Sequence, residues 1–529
     1  MGSWAPELET PTRAIARRPS VPLAKAPVLR ARAEATAYEA GAQTRRTLRW
    51  NAPTTSANAH ILQSLTTLRD RSRAAARNDG YAGGALDKLV SNIVGTGIKP
   101  QSMAADVAFR ALAHAKWLEW TDESDADGLL DWYGQEAQAT RCWLEAGESF
   151  VRMRSRLASD GLSVPLQVQV LEPELCPHTH NGTSATGNRI RAGIEFDAIG
   201  RRVAYYFHPV RPGALEDFDV ATLTRVSADS VVHLYHVARP GQLRGVPHLT
   251  PALIRLFELD KLEDAVLLRH QLQNMFMAFL TRQPAVGGDD NVHPLTGEPL
   301  PSDANDRPML TMEPGTFNEL EPGEDVSFSE PPEMSTAYPE FMRQQLLGAC
   351  AAHGVPYETL TGDMSKVNDR TVRVILQEFR RRIQMWQHQV VVHQLCRRVW
   401  RAWMDRAFLA DALPIPADYV ESTRPWLDVK WQPQAWPYLH PVQDVQATKE
   451  AIRIGITSRT AAVAERGEDA EVVDAEQAAD NARADRLGVK YDSDGRNGKA
   501  SAAPPAATPS GEDPTADPAA DDDPTGATR

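Results

Sequence analysis

Residues 371–413 read TVRVILQEFRRRIQMWQHQVVVHQLCRRVWRAWMDRAFLADAL, without a single Gly or Pro. Apolar side chains recur along this stretch at steps of four, four, three and four residues, which is the spacing of one face of an α-helix. The row consists of Ile375, Phe379, Ile383, Trp386 and Val390. The pattern predicts one helix of about 40 residues, roughly 60 Å long. Its other sides carry six arginines: Arg380, Arg381, Arg382, Arg397, Arg398 and Arg401.

The residues before this stretch predict two more helices. In residues 249–282, Leu249 and Leu256 share an apolar face, while charged side chains such as Glu258 occupy the opposite face. That helix would have about 30 residues and be roughly 45 Å long. The second helix covers residues 338–353, and Gly354 ends it before a polar loop.

Between residues 140 and 240 the hydrophobic period changes from that of helices to that of strands. Apolar and polar side chains alternate there, as they do in half-buried strands, and the turn at residues 197–200 predicts a hairpin. The predicted strands are residues 164–170, 190–196, 202–207 and 231–237. Helices and strands together predict an α+β fold built around an antiparallel sheet.

The remaining segments divide into short helices and two polar ends. Residues 51–120 predict helices, and residues 441–467 predict two short ones, the second with Ser458 as its N-cap. Residues 1–50 contain nine Lys or Arg against four Asp or Glu and predict a flexible basic arm. Residues 491–529 are rich in Ala, Pro, Asp and Thr, a composition that cannot bury a core and predicts disorder.

The overall composition describes an acidic chain with a large core. Of its 529 residues, 42% are hydrophobic, and the formal net charge is −13. Proteins that grip duplex DNA usually present a basic face, so tight DNA binding is not indicated. No run approaches the length of a membrane helix or a signal peptide, and we expect a cytosolic chain. The four cysteines form no CxxC pair, which argues against a disulfide framework or a zinc knuckle.

The chain lacks the common catalytic motifs. It contains no GxxxxGK[ST] phosphate loop, no GxSxG nucleophile elbow and no HExxH helix. Residues 123–128 resemble the start of a calcium loop, but the twelfth position is Gly134, so a helix-capping loop is the better interpretation. His178 and His180 have only Cys176 nearby as a further ligand. We therefore predict no catalytic residue, no cofactor and no metal.

Several short strings, in order over about residues 75–470, resemble those of lambda-type portal proteins of tailed bacteriophages. One of them is RPGQLRGVPHL at residues 239–249, directly before a predicted long helix. The others are 91–100, 125–128 with 131–133, 146–148, 171–173, 193–197, 321–326, 354–363 and 455–467. No single string is decisive, but the ordered set is specific.

The resemblance implies a portal fold, with a mixed α/β wing, long stem helices, a small clip, a helical crown and a disordered C-terminal tail. Helix length and order place these regions along the chain. After a basic arm (1–50), they are the wing (51–248), a stem helix (249–282), the clip (283–337), a stem helix (338–353), the tunnel loop (354–370), the long wing helix with its following segment (371–440), the crown (441–490) and the acidic tail (491–529).

The resemblance also implies a function, that of a structural, non-enzymatic portal subunit. Such subunits form a ring of twelve at one capsid vertex, and the ring is the DNA channel for genome packaging, head–tail joining and DNA ejection. The implied partners are other copies of the chain, the large terminase subunit, a head-completion or adaptor protein, capsid and scaffold proteins, and double-stranded DNA, with no membrane. The implied location is the virion portal vertex, after assembly in the cytoplasm of the bacterial host.

Within the implied tunnel loop, four residues are expected to lie nearest to the DNA: Asp363, Ser365, Lys366 and Asn368. Lys366 would contact phosphates only transiently, because a channel that passes DNA must release each contact again. The alternative is an ordinary solvent-exposed loop.

Two other classes of protein remain open from the residues alone. A head–tail adaptor or minor capsid protein would usually be shorter and would lack the paired long helices. A soluble cytosolic enzyme would need a concave cluster of acids or histidines, and no motif indicates one. A hollow ring in the electron microscope separates the portal subunit from both.

Overall fold

The computed structural model describes residues 54–210, 212, 222–273, 278–282, 324–328, 338–417, 419, 422–437 and 440–491. By compactness the chain divides into two units, residues 1–56 and 57–529, and all elements below lie in the second. The predicted arm (1–50) and tail (from 492), and most of the predicted clip (283–337), lie outside the described residues.

The described elements alternate between helices and strands along the chain. The helices are α1 (Ala57–Asn78), α2 (Gly80–Ile93), α3 (Val107–Glu123), α4 (Trp132–Ala146), α5 (Leu253–Gln273), α6 (Tyr338–His353), α7 (Tyr357–Thr361), α8 (Asp369–Trp386), α9 (Arg397–Leu409), α10 (Arg424–Leu427), α11 (Pro441–Arg453), α12 (Arg459–Ala464) and α13 (Ala470–Leu487). The strands are β1 (Lys99–Ser102), β2 (Glu148–Ser155), β3 (Leu166–Leu171), β4 (Gly182–Thr183), β5 (Arg189–Arg191), β6 (Ile194–Phe196), β7 (Arg202–Phe207), β8 (Thr224–Ser227), β9 (Val231–Tyr235), β10 (Ala278–Arg282), β11 (Glu324–Phe328) and β12 (Val429–Gln432).

The strands form antiparallel sheets, which confirms the predicted mixture of helices and antiparallel β-structure. One sheet has the order β3-β2-β9, and a second has the order β4-β5-β6-β7-β8. The predicted hairpin at 197–200 is present between β6 and β7. The predicted single strand 190–196 is wrong: Ala192 (φ 52°) and Gly193 (φ 78°) turn the chain and divide it into β5 and β6. A left-handed pair of residues reverses the backbone, so the two halves pair with each other.

The long helix predicted from residue 371 is present, with one change in its middle. Helix α8 continues without a break through a π-helical segment, Gln387–Cys396, into α9. The predicted apolar row is buried at Phe379, Ile383, Trp386 and Val390. A π-helical segment shifts the phase of side chains, and Val390, Val391 and Val392 are all buried here. The α-helical part ends at Leu409, four residues before the predicted end.

The helix predicted for residues 249–282 is shorter than expected. Residues 249–252 form turns around Pro251, and α5 covers only Leu253–Gln273. Residues 278–282 are strand β10, which pairs antiparallel with β11. An apolar segment as short as AFLTR suits either a helix or a strand, and a strand partner some 40 residues later decides between them.

Strands β1 and β12 and helix α13 were also not predicted from the sequence. Strands β1 and β12 pair although more than 300 residues separate them, with Lys99 opposite Gln432. Helix α13 follows the two short helices that were predicted at 441–467. The predicted N-cap of the second short helix is confirmed, since Ser458 accepts a hydrogen bond from the Ala461 amide at 3.0 Å. In the predicted loop 354–370, residues 357–361 form the short helix α7.

The main core lies between α3, α4 and the long helix α8–α9. Its centre is a group of buried indole rings from three helices: Trp117, Trp120, Trp132, Trp400 and Trp403. The ring centroids of Trp117 and Trp403 are 5.2 Å apart at an interplanar angle of 81°, an edge-to-face contact. The long helix is therefore a core element of this part of the molecule. Among the helices described, none is long and apolar enough to cross a membrane.

Candidate functional site

The strings that carry the portal resemblance meet in space at one buried ion cluster. Glu148, the first residue of β2, is fully buried. Its carboxylate accepts hydrogen bonds from Arg244 Nε at 2.7 Å and from the Gly245 amide at 2.8 Å. It also contacts Arg69 of α1 and His233 of β9, the latter through Nε2 at 2.8 Å. The cluster joins the first helix, the sheet and the segment 239–249.

The guanidinium of Arg244 extends this cluster to two more of the strings. It donates to the carbonyl oxygens of Cys176 at 3.0 Å, Ala192 at 2.9 Å and Pro173 at 3.3 Å. Pro173 belongs to the string 171–173, and Ala192 directly precedes the string at 193–197. The buried side chain of Arg244, itself in the string 239–249, thus contacts the strings 146–148 and 171–173 and the residue before the string 193–197.

Two glycines allow the strings to approach so closely. Gly147 has φ 92°, and a Cβ there would lie 2.6 Å from the Val246 carbonyl carbon. A Cβ on Gly245 would lie 1.9 Å from the Gly147 carbonyl oxygen. Neither position admits a side chain without displacing backbone, because both obstacles are main-chain atoms.

The charges of the cluster determine the protonation of its members. Burial opposes the ionisation of Glu148, but the charges of Arg244 and Arg69 outweigh it, and the pKa of Glu148 lies well below its ordinary value. Burial lowers the pKa of His233 to about 4, although the hydrogen bond to Glu148 opposes this shift. At neutral pH the cluster therefore holds a carboxylate, two guanidinium groups and a neutral imidazole. Such a fully bonded group anchors the fold.

The string 193–197 contains a second bonded carboxylate. Glu195 of β6 accepts hydrogen bonds from Arg225 Nε at 2.7 Å, Asn188 Nδ2 at 2.8 Å and the Tyr206 hydroxyl at 3.0 Å. The bond from Arg225 is the main reason that the pKa of Glu195 is lowered to about 2. This carboxylate joins β6, β7 and β8 of the five-stranded sheet to the turn that precedes β5.

The four predicted loop residues lie together between α7 and α8. Asp363 accepts hydrogen bonds from the Ser365 amide at 3.0 Å and from Arg343 of α6 at 3.1 Å. Asn368 is the N-cap of α8 and accepts from the Thr371 amide at 2.9 Å. Asp363 and Asn368 therefore stabilise the loop and the helix that follows it.

Lys366 lies at the exposed part of the same loop. Its ammonium group pairs with Glu340 of α6 at 2.9 Å, and both side chains are more than half exposed. An exposed ion pair is weak and exchanges readily. Lys366 therefore remains accessible to another anion.

Sequence analysis did not single out Glu148 and Arg244 as a pair. Both residues lie in strings quoted for the resemblance, but nothing in their spacing predicts that they meet. One sequence feature could have indicated the pair: an acid and an arginine each lie in a segment of otherwise small and apolar residues. Such segments are usually buried, and buried charges require partners of opposite charge.

The acidic loop that resembled the start of a calcium loop is held by hydrogen bonds of its own. Asp125 accepts hydrogen bonds from the amides of Asp127, Leu129 and Leu130, so the loop is a capping turn. Over the described ranges, no group of three or more His, Cys, Asp or Glu side chains is arranged to hold a metal ion.

The comparisons with known proteins agree with the strings. The family model described as "Phage portal protein, lambda family" matches residues 43–387. The probable portal protein of Halomonas phage phiHAP-1 is 24% identical over 89% of this chain and 90% of its own length. Portal protein B of Escherichia phage lambda is 20% identical over 83% of this chain and 88% of its own length.

Solved structures also align with the chain over most of its length. A chain of the neck of an empty GTA particle, computed with C6 symmetry, aligns over 77% of this chain and 93% of its own, at 15% identity and a TM-score of 0.43. A chain of the native GTA neck, computed with C12 symmetry, covers 78% of this chain and 94% of its own, at 15% identity and a TM-score of 0.40. The family match extends over well more than half of the sequence and contains the strings that meet at Arg244. This chain belongs to the lambda family of phage portal proteins, structural subunits of the head–tail connector.

Proposed function

We propose that copies of this chain close into a ring of about twelve subunits, the DNA channel at one vertex of a phage capsid. The ring serves genome packaging, head–tail joining and DNA ejection. Membership of the portal family supports the proposal. The observation that carries self-association is an exposed apolar face on α5.

Helix α5 has apolar side chains on both of its sides. Leu256 and Leu259 are buried against the rest of the subunit. On the opposite face Ile254 is 75% exposed, Phe257 58% and Leu268 56%. Single exposed apolar residues are common, but a row along one helix marks an interaction surface. A neighbouring copy that packs against this row buries it, and the same contact repeated around an axis closes a ring.

The portal regions map onto the described elements with shorter stem helices than the sequence predicted. The stem corresponds to α5 and α6, which pack together through Leu259, Leu346 and Cys350. The wing corresponds to α1–α4 with the sheets and to the long helix α8–α9. The crown corresponds to α11–α13. The clip corresponds to the segment between the two stem helices, and its flanks pair as β10 and β11.

The loop between α7 and α8 is the proposed tunnel loop. Asp363 and Asn368 hold its shape, while Ser365 and Lys366 supply the polar contacts to passing DNA. Because Lys366 already has a partner in Glu340, a phosphate competes with a carboxylate for it, and the contact is easily reversed. The net charge of −13 acts in the same direction, since an acidic ring does not retain DNA.

The proposed partners follow from the position of each region. The clip binds the large terminase subunit during packaging and a head-completion or adaptor protein afterwards. The wing contacts capsid and scaffold proteins. The chain is then a component of the virion that assembles in the cytoplasm of the bacterial host.

Electron microscopy of the purified chain tests the proposal. Negative-stain class averages and native mass spectrometry across a range of protein and salt concentrations should show one closed, hollow ring. Compact monomers or dimers under every condition would contradict it. Gel filtration with light scattering of the same samples distinguishes rings from irregular aggregates.

A further inference from the structure

A basic recess lies beside the long helix. None of its described lining residues belongs to the ion cluster or to the loop between α7 and α8. It has a volume of about 720 Å³ and is formed by the π-helical segment, α9, α10 and β12. Three arginines line it: Arg397 and Arg401 of α9, and Arg424 of α10. His388 also lines it, and Asp428 is the one carboxylate among the described lining residues.

The three guanidinium groups make no direct contact with a carboxylate among the described residues, and Arg401 interacts with Asp405 only at longer range. In the part of the chain that the structure describes, none of them forms a side-chain hydrogen bond or an ion pair within 4.0 Å. Most of the other arginines along α8 and α9 do have partners: Arg381 pairs with Glu378, and Arg398 donates to the Ala228 carbonyl. Three unpaired cations around one recess in an acidic protein form a local anion-binding surface.

Two indole rings contribute the aromatic part of the lining. Trp400 and Trp431 line it, and their rings meet edge to face with centroids 6.5 Å apart. Trp400 is only 2% exposed, and neither indole N–H has a hydrogen-bond partner. These indole N–H groups are inaccessible to solvent, so the groups that a ligand in the recess can reach are the three guanidinium groups. The ligand must accept hydrogen bonds and carry negative charge, as a carboxylate does.

We infer that this recess binds the acidic C-terminal segment of the chain, residues 512–523. Residues 492–529 contain eight acidic and three basic residues, and Asp521, Asp522 and Asp523 are consecutive. Arginine binds carboxylates through paired N–H donors, so three guanidinium groups match a run of three carboxylates. The prolines at 514, 518 and 524 favour an extended backbone, which fits a recess better than a folded element does.

The C-terminal segment is covalently attached to the subunit, so it competes well with free anions for the recess. Thirty residues separate Tyr491 from Asp521, and an extended chain of that length spans about 100 Å, enough to reach the recess of its own or a neighbouring subunit. A flexible tether of this kind holds its ligand at an effective concentration of about a millimolar. The inference does not depend on the ring or on the tunnel loop, and it assigns a partner to a segment that the family strings do not reach.

Zero-length cross-linking of the full-length chain tests the site. The variants Arg401→Lys and Arg424→Lys keep the positive charge and introduce an amine that carbodiimide joins to a carboxylate in direct contact. Mass spectrometry should then find the introduced lysine joined to Glu512, Asp513, Asp517 or Asp521–Asp523. The control, Arg381→Lys, places the same amine on exposed α8 outside the recess. We expect at least about a tenfold excess of tail cross-links over this control; because the tether is the same in all variants, the excess measures binding of the carboxylates in the recess.

Two further measurements test whether the cross-links come from the three aspartates and whether they depend on charge. Changing Asp521, Asp522 and Asp523 to Asn should remove the cross-links, and 1 M salt, which reduces the screening length to about 3 Å, should weaken them. Equal cross-linking of the tail in the control and recess variants would overturn the inference. So would an Arg397→Ala and Arg401→Ala variant whose only change is weaker binding of labelled duplex DNA, because the recess would then bind phosphate. Mixing isotopically labelled and unlabelled chains reports whether the tail belongs to the same subunit.

Discussion

At the scale of single residues, the fold depends on a few buried charges that join distant segments. Glu148 connects α1, β9 and the segment 239–249 through Arg69, His233 and Arg244. Exposed ion pairs contribute little to stability, whereas removing one member of a buried cluster leaves the others charged and unpaired. The buried residues therefore govern how stability responds to substitution and pH.

Replacing Glu148 with Gln should lower the free energy of unfolding by about 3–5 kcal/mol, because Arg69 and Arg244 lose the charge that compensates them. The depressed pKa of Glu148 also means that its contribution is present above its unfolded value, 4.5, and lost as the pH falls below it. Denaturant unfolding at neutral and acidic pH measures both effects.

The matched control for this variant is Glu119→Gln, which removes an exposed pair with Lys116. It should cost less than about 1 kcal/mol. Equal losses in the two variants would show that the buried cluster is not an anchor.

Glu136 should give the opposite pH dependence. It is fully buried, and burial raises its pKa to about 8, although hydrogen bonds from the Ile98 amide and the Cys396 thiol oppose the shift. The folded chain then holds a proton that the unfolded chain releases, so stability is lost as the pH rises from about 4.5 to 8. Glu136→Gln keeps an acceptor for the Ile98 amide. Because glutamine does not ionise, the variant should not lose stability over this pH range.

The measurement is thermal unfolding of both proteins between about pH 5 and pH 8. The difference between Glu136→Gln and the wild type should grow in favour of the variant across this range. Parallel curves would mean that the carboxyl group does not change its protonation on folding.

At the scale of elements, the local sequence determined where some helices begin and end, whereas some strands depend on pairing partners that are distant in sequence. Helix α6 and the N-cap at Ser458 were predicted correctly, because capping residues and glycines act within a few positions. The strand at 278–282 and the pairing of β1 with β12 were not, because their partners lie far away in sequence. The π-helical segment also escaped prediction, since an insertion of one residue per turn leaves no compositional signal.

We expect ring closure to depend on the exposed face of α5. A chain with Ile254→Glu and Phe257→Glu should remain folded, because both side chains are more than half exposed, and should fail to form rings. Burying two new carboxylates at a subunit contact costs more than the apolar contact provides. Gel filtration with light scattering and negative-stain imaging measure the outcome.

Val107→Glu is the control, since Val107 is 63% exposed on α3. Rings should persist in this variant. Rings that survive the α5 changes would place the subunit contact elsewhere.

The loop between α7 and α8 is predicted to act on DNA and not on assembly. Deleting residues 364–366 removes Lys366 and leaves Asp363 and the N-cap Asn368 in place. Rings should form normally, and DNA packaging in a complementation assay should fall. Glu378→Gln, which removes an exposed ion pair with Arg381 on α8 outside the loop, is the control and should package normally. Normal packaging by the deletion variant would remove the loop from the DNA path.

At the scale of the whole molecule, the described part of the chain contains a large core around α3, α4, α8 and α9 and a region with little burial at its C-terminal end. In α11 and α12 no residue is buried, and in α13 only Ala470 and Ala484 are. Short helices in water are marginal without packing. We therefore expect the C-terminal helices to gain stability from contacts between subunits in the proposed ring.

Deleting residues 491–529 should leave ring assembly intact. The composition of this segment cannot supply a core, so the packed part of the subunit loses no apolar contact with it. Negative-stain imaging of the shortened chain gives the answer. Loss of rings would show that the segment contributes to the subunit interface.

By itself, the sequence determined the order and type of most elements, the mixed α/β class and the family, since periodicity, capping residues and the ordered strings are local properties of the chain. Only the tertiary structure decided which strings meet at Arg244 and which strand pairs with residues 278–282. It also decided which arginines of the long helix form no ion pair with a carboxylate. Those outcomes depend on contacts between residues that are far apart in sequence. The spacing of residues along the chain does not predict such contacts. They form because buried charges and polar groups need partners in the folded molecule.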